Sequence, residues 1–217
     1  RDAREKASSP LQWIAFEGGL VDAGHDGEGF GFDNEWPRHR VYLAPYALAS
    51  RLVTNAEYLA FIEAGGYREP SLWLSEGWEW RRSNALEMPM YWSRHDGQWQ
   101  EFTLAGAEPL TGSRPVVHLS YFEADAYARW ADARLPGEFE WERAAVGVAT
   151  EGNLLDKGHL HPEVAQGDGV MQLFGDAWEW TQSSYAPYPG YRTAAGAIGE
   201  YNGKFMVNQY VLRGGSC

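Results

Sequence analysis

The most distinctive stretch of this sequence is LFGDAWEWT, at residues 173–181. Strand alternation with a period of two predicts that Trp178 and Trp180 share one face and that Glu179 lies on the other. Burial of two indole rings stabilises a fold by several kcal/mol, at roughly 25 cal/mol per Å² of apolar surface. Two interpretations of Glu179 stay open. The chemistry alone favours a surface carboxylate on a core strand, and the alternative is a buried ligand of a hard cation such as calcium.

Three helices are predicted from local signals elsewhere in the chain. Thr54 and Ser120 are each followed three residues later by a glutamate, which makes a capping box that satisfies free backbone N–H groups. A glycine pair ends the first of these helices. The third follows a Leu-Pro-Gly sequence and runs from about Glu138 to Val146, with acidic residues at the positive end of its dipole.

The remaining segments predict short strands and long loops. Residues 13–21 and 41–48 predict strands, and Asp96-Gly97 predicts a hairpin turn. The tryptophan-rich segment between the first two helices predicts irregular structure with short hairpins. Further short strands are predicted at residues 90–94, 98–103, 171–174, 178–182 and 210–213.

Composition places the chain among globular, loop-rich proteins. The 217 residues are 44% hydrophobic and include 25 glycines and 11 tryptophans, which favours irregular segments held by large flat side chains. The formal net charge of −12 argues against nucleic acid as a partner, because phosphate binding needs clustered basic residues. We therefore predict one domain at residues 11–217, preceded by linker residues 1–10.

The sequence carries no signal for a membrane or for secretion. No apolar run is long enough to span a bilayer, and residues 1–10 lack the apolar core of a signal peptide. The only cysteine is Cys217, so no internal disulfide is possible. A cytoplasmic location is the simplest prediction, and the ending just after a predicted strand suggests that the domain is truncated at its C-terminus.

A second distinctive segment is GEYNGKFMVNQ, at residues 199–209. Its phenol, amide and ammonium groups suit the orientation of a polar zwitterion or the donation of a proton. The chemistry alone favours an ordinary turn at Asn202-Gly203. Among the histidines only His159 and His161 are closely spaced, and the flanking glycine and proline favour a surface loop over a metal site.

One set of motifs follows in order along nearly the whole chain. The set resembles the formylglycine-generating-enzyme, or sulfatase-modifying-factor, superfamily. The resemblance implies an α+β fold that is mostly irregular and similar to C-type lectins, with short strands, about three helices and long loops. The motifs are NEWPRHRV at residues 34–41, LVTNAEY at 52–58, PVVHLS at 115–120, RLPGEFEWE at 134–142, GDAWEW at 175–180 and RGGS at 213–216.

Within this superfamily the chain is most similar to the ergothioneine sulfoxide synthases, also called hercynine oxygenases. Formylglycine-generating enzymes use a cysteine pair to bind copper, and Cys217 falls just before the position of the first of that pair, which weighs against formylglycine chemistry. The stretches shared with the synthases are FEGGLV at residues 16–21, HDGEGF at 25–30, PYPGY at 187–191 and the whole of residues 199–209.

The resemblance implies a non-haem iron oxygenase. Members of that family use Fe(II) and O2 to join hercynine to a thiol, either cysteine or γ-glutamylcysteine. Three histidines of an N-terminal helical domain in the same protein hold the iron, so this chain alone is expected to be inactive.

The resemblance also implies site residues. Tyr201 matches the proton donor, and a phenol with a pKa near 10 suits that role. Asn202, Asn208 and Gln209 are expected substrate contacts. Trp178 or Trp180 is a candidate for cation–π contact with the trimethylammonium group of hercynine, and core packing of these rings is the favoured alternative.

A structural calcium site carries over from the superfamily in part. Its expected ligands are the side chains of Gln172 and Glu179 and the carbonyls of Gly175 and Ala177, with Gln172 in place of the usual asparagine.

Three alternatives stay open. The first is a selenoneine-type synthase, which joins hercynine to a selenosugar. The second is a non-catalytic, lectin-like ligand-binding module, since such scaffolds display variable loops. The third is a formylglycine-generating oxidase, which requires a cysteine pair beyond Ser216. An upstream helical bundle with a histidine-rich iron motif would favour the synthase over the binding module.

Overall fold

Short strands and helices alternate with long loops in the computed structural model, which describes residues 6–202, 205 and 207–217. The strands pair in four small antiparallel sheets, of which the largest has three strands. This arrangement confirms the predicted α+β class with short strands and long loops. The strands are β1 (Trp13–Phe16), β2 (Gly19–Ala23), β3 (His39–Leu43), β4 (Tyr46–Ala49), β5 (Trp92–His95), β6 (Gln98–Thr103), β7 (Gly106–Pro109), β8 (Trp178–Ser184) and β9 (Tyr210–Gly214).

Each of the three predicted helices is present, and the described chain contains two more. The capping boxes form as expected: the Thr54 N–H donates to Glu57 Oε2 at 2.8 Å, and the Ser120 N–H donates to Glu123 Oε2 at 2.8 Å. The helices are α1 (Asn55–Glu63), α2 (Ser75–Ser83), α3 (Tyr121–Trp130), α4 (Glu138–Ala145) and the short α5 (Ala197–Asn202).

Helix α2 corrects the prediction of irregular structure in the tryptophan-rich segment. An internal glycine, Gly77, lowers the intrinsic helix propensity of this segment. In the structure that glycine faces α3, and a Cβ at its position would lie 2.7 Å from the Phe122 ring. Helix α2 therefore uses the glycine for close packing, which only the tertiary contact reveals.

The first two predicted strands are also corrected, because each is broken in two. β1 pairs with β4, and β2 pairs with β3, so the halves of each predicted strand belong to different sheets. Gly18 lies at the first break, where a Cβ would be 2.6 Å from the Leu43 carbonyl oxygen. Residues 171–174 form no strand, because Gln172 has a φ of 62° that extended backbone does not tolerate.

The hairpin at Asp96-Gly97 is confirmed. Both residues have positive φ, 48° and 82°, as a two-residue turn of type I′ requires. The turn joins β5 to β6, and β6 pairs in turn with β7.

The core is aromatic and lies between α1, α3 and the loops that follow α1. The side chains of Tyr58 and Phe61 are fully buried, and Tyr127 stacks on Tyr58 with ring centroids 5.4 Å apart. The Tyr67 hydroxyl donates to Glu123 Oε1 at 2.5 Å and lies 3.1 Å from the Tyr58 hydroxyl. The buried hydroxyls of Tyr58 and Tyr67 are thus hydrogen-bonded, which offsets the cost of removing them from water.

Strands β8 and β9 form a separate ribbon against α4. Trp178 pairs with Gly214 at one end of the ribbon and Ser184 pairs with Tyr210 at the other, with an irregularity between Trp180 and Ser184. None of the helices in the described part of the chain has the length and apolar character that a bilayer crossing requires.

Ala7 and Ser9 of the predicted linker form hydrogen bonds with the domain. The Ser9 N–H donates to the Ala165 carbonyl at 3.0 Å, and Arg51 Nε donates to the Ser9 carbonyl at 2.6 Å. The domain boundary at residue 10 stays a prediction.

Candidate functional site

An open cleft of about 390 Å³ lies where β8 ends and β9 begins. Residues 184–187 form one wall, and Phe205 with residues 207–210 forms the other. Two predicted substrate contacts, Asn208 and Gln209, lie in the second wall. None of the described residues that line the cleft carries a charge.

The backbone around Asn208 positions this second wall. The Tyr185 N–H donates to the Gln209 carbonyl at 2.8 Å, which holds the two walls together at the base. Asn208 adopts a φ of 65°, a conformation that asparagine tolerates better than most residues. The resulting turn leaves Asn208 exposed beside the cleft.

Aromatic rings supply most of the apolar surface of the cleft. Tyr185 and Phe205 both line it and pack against each other, with centroids 4.9 Å apart and planes tilted by 40°. Tyr191 meets the Phe205 ring edge to face at 5.3 Å. Tyr210 stacks on Tyr121 at 3.9 Å. Aromatic rings from distant segments therefore pack against one another at this cleft.

Segments that are distant in sequence converge at this cleft. The side chain of Asn34 hydrogen-bonds to Tyr185, and burial together with the negative charge of Asp33 raises the pKa of Tyr185. Pro37 packs on Gly190, where a Cβ would lie 3.5 Å from Pro37 Cγ. The loop that precedes β3 thus contacts residues 185–191, and those residues contact Phe205.

Two further predicted residues, Tyr201 and Asn202, lie at the end of α5. Their side chains fall outside the part of the chain that the structure describes, so their roles stay predictions.

Trp178 lies away from the other predicted substrate contacts. It is at the opposite end of β8 from Ser184, roughly 20 Å along the strand at 3.3 Å per residue. Its side chain is 54% exposed. The neighbouring Trp180 donates from Nε1 to the Leu119 carbonyl at 3.0 Å and packs against Tyr121. The structure therefore does not bring Trp178 together with Asn208 and Gln209.

Glu179 points away from these tryptophans toward α4. Trp141 Nε1 donates to Glu179 Oε1 at 3.0 Å, and burial raises the pKa of Glu179 to about 8. A Cβ on Gly214 would lie 3.6 Å from this carboxylate oxygen, 3.6 Å from the Ala177 carbonyl oxygen and 2.9 Å from that of Leu173. One carboxylate and two carbonyls thus converge on a single point beside Gly214.

The other predicted calcium ligand, Gln172, belongs to a different group of contacts. Its Nε2 donates to the Glu163 carbonyl at 2.9 Å and to Asp176 Oδ2 at 3.2 Å. Asp176 Oδ1 also accepts from Asn153 Nδ2 at 2.8 Å. Gln172 lines a second cleft, of about 530 Å³, whose amides and carboxylates bond mainly to one another. Oxygen donors suited to a cation therefore lie at Glu179 and Ala177, without the Gln172 amide.

Sequence reasoning did not find the cluster around Arg213. Arg213 Nη2 lies 3.0 Å from Glu142 Oε2 and 3.8 Å from Glu138 Oε1, and its Nη1 lies 3.6 Å from Glu35 Oε1. The same Nη2 donates to the Tyr188 hydroxyl at 2.9 Å. Burial raises the pKa of Glu138, although Arg213 opposes this shift. Glu138 and Glu142 belong to the motif RLPGEFEWE, and Arg213 belongs to the motif RGGS. Neither motif alone predicts that these residues meet.

Across residues 6–202 and the described positions beyond them, no group of three His, Cys, Asp or Glu side chains is arranged to hold a metal ion. His159 lies 2.7 Å from Glu163 and His161 lies 3.6 Å from Glu101, so the two histidines have separate partners.

Comparison with known proteins relates the chain to one family and two groups of enzymes. The family described as "Sulfatase-modifying factor enzyme 1-like domain" matches residues 2–168. The hercynine oxygenase of Mycolicibacterium thermoresistibile is 36% identical over 187 residues, which cover 76% of this chain and 41% of that protein. The hercynine oxygenase of Mycobacterium tuberculosis is 36% identical over 208 residues, 85% of this chain and 48% of that protein.

Formylglycine-generating enzymes are also similar to the chain. That of Streptomyces coelicolor is 29% identical over 204 residues, which cover 74% of this chain and 65% of that protein. The chain spans less than half the length of the two hercynine oxygenases compared above.

Proposed function

Because the chain belongs to the sulfatase-modifying factor enzyme 1-like family, we propose that it is the substrate-binding domain of a non-haem Fe(II)-dependent sulfoxide synthase, which joins hercynine to a thiol with O2 in ergothioneine biosynthesis. The 36% identity to proteins named hercynine oxygenase supports this choice within the family. The observation that carries it is the cleft, where two of the stretches shared with those synthases, residues 187–191 and 199–209, meet.

In this proposal the cleft residues bind and orient the substrate. Asn208 and Gln209 present amide groups at the rim, which pair with the polar groups of a zwitterion without adding a charge. The rings of Tyr185 and Phe205 cover the apolar part of the substrate and exclude water from it. Such a combination of apolar walls with few polar groups is typical of small-molecule sites.

Tyr201 is proposed as the proton donor, with Asn202 as a further substrate contact. Both residues precede Phe205 by only a few positions, which keeps them near the wall that Phe205 forms. The Tyr201 phenol oxygen delivers its proton during sulfoxide formation, and this step suppresses plain oxidation of the thiol.

Iron enters the proposal from outside this chain. The described residues hold no suitable set of ligands, and we propose that three histidines of an N-terminal helical domain in the same protein bind Fe(II). When bound, the iron supplies the activation of O2. A cytoplasmic location belongs to the same proposal and agrees with the presence of a single cysteine.

The direct test is Tyr201→Phe in the complete protein. We expect hercynine binding, measured by anaerobic titration with Fe(II) present, to change less than about threefold, because the ring is retained. We expect the ratio of sulfoxide to oxidised thiol to fall at least tenfold, in line with the usual contribution of a positioned proton donor. Tyr42→Phe, at an exposed tyrosine of β3, is the matched control. An unchanged product ratio would show that Tyr201 is not the donor.

The sulfur donor is tested in the same assay. Cysteine, γ-glutamylcysteine and a selenosugar are supplied in turn, and the donor with the highest kcat/KM identifies the synthase type. A protein that binds hercynine but turns over none of these donors would be a binding module rather than an enzyme.

A structural calcium ion is the second part of the proposal. The Glu179 carboxylate and the Ala177 carbonyl offer oxygen ligands, and the Leu173 carbonyl adds one that the sequence did not suggest. Calcium prefers mixed carboxylate and carbonyl oxygens of this kind. Gly175 stays a proposed ligand, and Gln172 would need to leave its present partners.

Calcium binding is tested by thermal unfolding. We expect 1 mM CaCl2 to raise the Tm of the wild-type protein and to leave the Tm of Glu179→Gln unchanged, since the variant lacks the only carboxylate of the site. Glu163→Gln, at an exposed glutamate near Gln172, is the control. An equal Tm rise in wild-type protein and Glu179→Gln would place the calcium elsewhere.

Formylglycine generation remains a second candidate because of one observation. The chain is 29% identical to the formylglycine-generating enzyme of Streptomyces coelicolor over 204 residues, and it carries a cysteine at residue 217. Conversion of a cysteine-containing sulfatase peptide by the complete protein would support this candidate, and its absence alongside sulfoxide formation would exclude it.

A further inference from the structure

The two segments that form the walls of the cleft are joined again just beyond the residues that line it. The first wall ends at Pro187 and is followed by Tyr188, and the second wall ends at Tyr210 and continues along β9 to Arg213. Arg213 Nη2 donates to the Tyr188 hydroxyl at 2.9 Å. We propose that Tyr188 is a positioning residue, whose hydroxyl holds the first wall against β9 and so sets the affinity of the cleft for its substrate. This role rests on the proposed function, because it presupposes that the cleft binds the substrate.

Tyr188 acts on the cleft only through its neighbours. Its side chain is buried, and it is not among the described residues that line the cleft. The ring packs against His39, with centroids 4.6 Å apart, and against Phe139, with centroids 5.5 Å apart. The Tyr191 N–H donates to the Tyr188 carbonyl at 2.9 Å. Packing from two other segments therefore sets where the hydroxyl lies, and the turn that follows is tied to the same residue.

The Tyr188 hydroxyl has charged partners as both donor and acceptor. It accepts from Arg213 and donates to the Glu138 carboxylate. Burial raises the pKa of Tyr188, so the hydroxyl stays protonated and can do both. Hydrogen bonds to ionised groups are stronger than those between neutral groups. The hydroxyl is therefore held more firmly than a contact between neutral groups would hold it.

Arg213 is itself anchored to two other segments. Its Nη2 lies 3.0 Å from Glu142 Oε2 in α4, and its Nη1 lies 3.6 Å from Glu35 Oε1. Glu35 follows Asn34, whose side chain hydrogen-bonds to Tyr185 in the first wall. The guanidinium thus contacts both α4 and the loop that packs on the first wall, which makes it a fixed point for the Tyr188 hydroxyl.

Loss of this hydroxyl is expected to affect binding more than chemistry. Without it the first wall keeps its ring contacts but loses its bond to β9, so the wall must be ordered when the substrate binds. Such an ordering cost weakens binding without removing a contact to the substrate. It raises KM and leaves kcat nearly unchanged, because the bound complex reaches the same geometry.

Tyr188→Phe in the complete, Fe(II)-loaded protein tests this role. We expect the anaerobic Kd and the KM for hercynine to rise about 2- to 12-fold, which corresponds to the net contribution of one hydrogen bond, and kcat to change less than about twofold. Tyr67→Phe is the matched control, because the Tyr67 hydroxyl is also buried between a carboxylate and a second partner but lies in the aromatic core. We expect both variants to lower the Tm by similar amounts and only Tyr188→Phe to weaken hercynine binding.

Amide hydrogen exchange follows the two walls without any substrate. We expect residues 184–191 and 207–210 to exchange at least about threefold faster in Tyr188→Phe than in the wild-type protein, and at the wild-type rate in Tyr67→Phe. If Tyr188→Phe exchanges and binds hercynine as the wild-type protein does, or if Tyr67→Phe weakens binding equally, the positioning role is overturned while the proposed function stands. If the wild-type protein does not bind hercynine, the proposed function fails, and unchanged exchange in Tyr188→Phe would then overturn the positioning of the walls as well.

Discussion

The glutamates that cap helices and the glutamates around Arg213 differ in how their negative charge is compensated. Glu57, Glu123 and Glu140 each cap a helix and each have a partner of their own: Arg51, Tyr67 and Arg134 respectively. Glu35, Glu138 and Glu142 instead share a single guanidinium.

The difference appears in the pKa values of the carboxyls. Burial disfavours the ionised form of Glu57, but hydrogen bonds from Arg51 and Thr54 outweigh it and lower the pKa. Burial raises the pKa of Glu138, and Arg213 only partly compensates. A carboxylate with its own partner therefore adds to stability, whereas one that shares a cation keeps part of its desolvation cost.

The largest expected effect comes from removing the shared cation. Arg213→Met leaves Glu138 and Glu142 without a positive partner in a buried environment. We expect a loss of about 3–5 kcal/mol in the free energy of unfolding, measured by urea denaturation. Arg192→Met, at an exposed arginine, should change it by less than about 0.5 kcal/mol.

A second substitution checks the reason for that loss. Adding Glu138→Gln to Arg213→Met removes one of the uncompensated charges and should recover part of the stability. If the double variant is no more stable than Arg213→Met alone, unpaired charge is not the cause, and lost packing of the arginine explains the effect.

The next largest effect is expected at the helix caps. Glu123→Ala removes the hydrogen bonds to the Ser120 N–H and to the Tyr67 hydroxyl, and the latter group is buried in the aromatic core. We expect a loss of about 2–4 kcal/mol in the free energy of unfolding. Glu79→Ala, which removes only an exposed pair with Arg82, should cost less than about 0.5 kcal/mol. Equal losses in the two variants would contradict the role of the cap.

The smallest expected effect is the contrast between two matched substitutions, of which one lowers the free energy of unfolding and the other does not. Glu57→Gln should lower the free energy of unfolding at pH 7 by about 1 kcal/mol, because it removes an ion pair that lowers the pKa of Glu57. Glu138→Gln should leave stability unchanged or raise it by up to about 1 kcal/mol at pH 8, because the amide resembles the protonated acid that burial favours.

The pH dependence of the free energy of unfolding distinguishes the paired carboxylate of Glu57 from the partly compensated carboxylate of Glu138. The stability from Glu57 is present above its unfolded pKa, near 4.3, and is lost as the pH falls through its lower folded pKa, so the cost of Glu57→Gln shrinks there. The Glu138 carboxylate costs stability above its raised folded pKa, so the benefit of Glu138→Gln shrinks as the pH falls toward 4. Urea unfolding at pH 3.5, 5, 7 and 8 measures both trends, and parallel curves for the two variants would contradict this comparison.

The sequence by itself determined the features that are encoded within a few neighbouring residues. The capping boxes at Thr54 and Ser120 and the turn at Asp96-Gly97 form as predicted, because their hydrogen bonds and dihedral angles depend on residues at most three positions apart. The family motifs likewise predicted the fold class, since they reflect the same local packing at many places along the chain.

Only the tertiary structure decided where these pieces meet. Gly77 allows α2 to pack on α3, Glu142 reaches Arg213 across 71 positions, and Tyr185 meets Phe205 at a cleft remote from Trp178. Such contacts join residues that no local pattern relates, because burial and charge balance depend on every segment packed around a site. The cleft and the Arg213 cluster therefore became visible only when the distant segments were brought together.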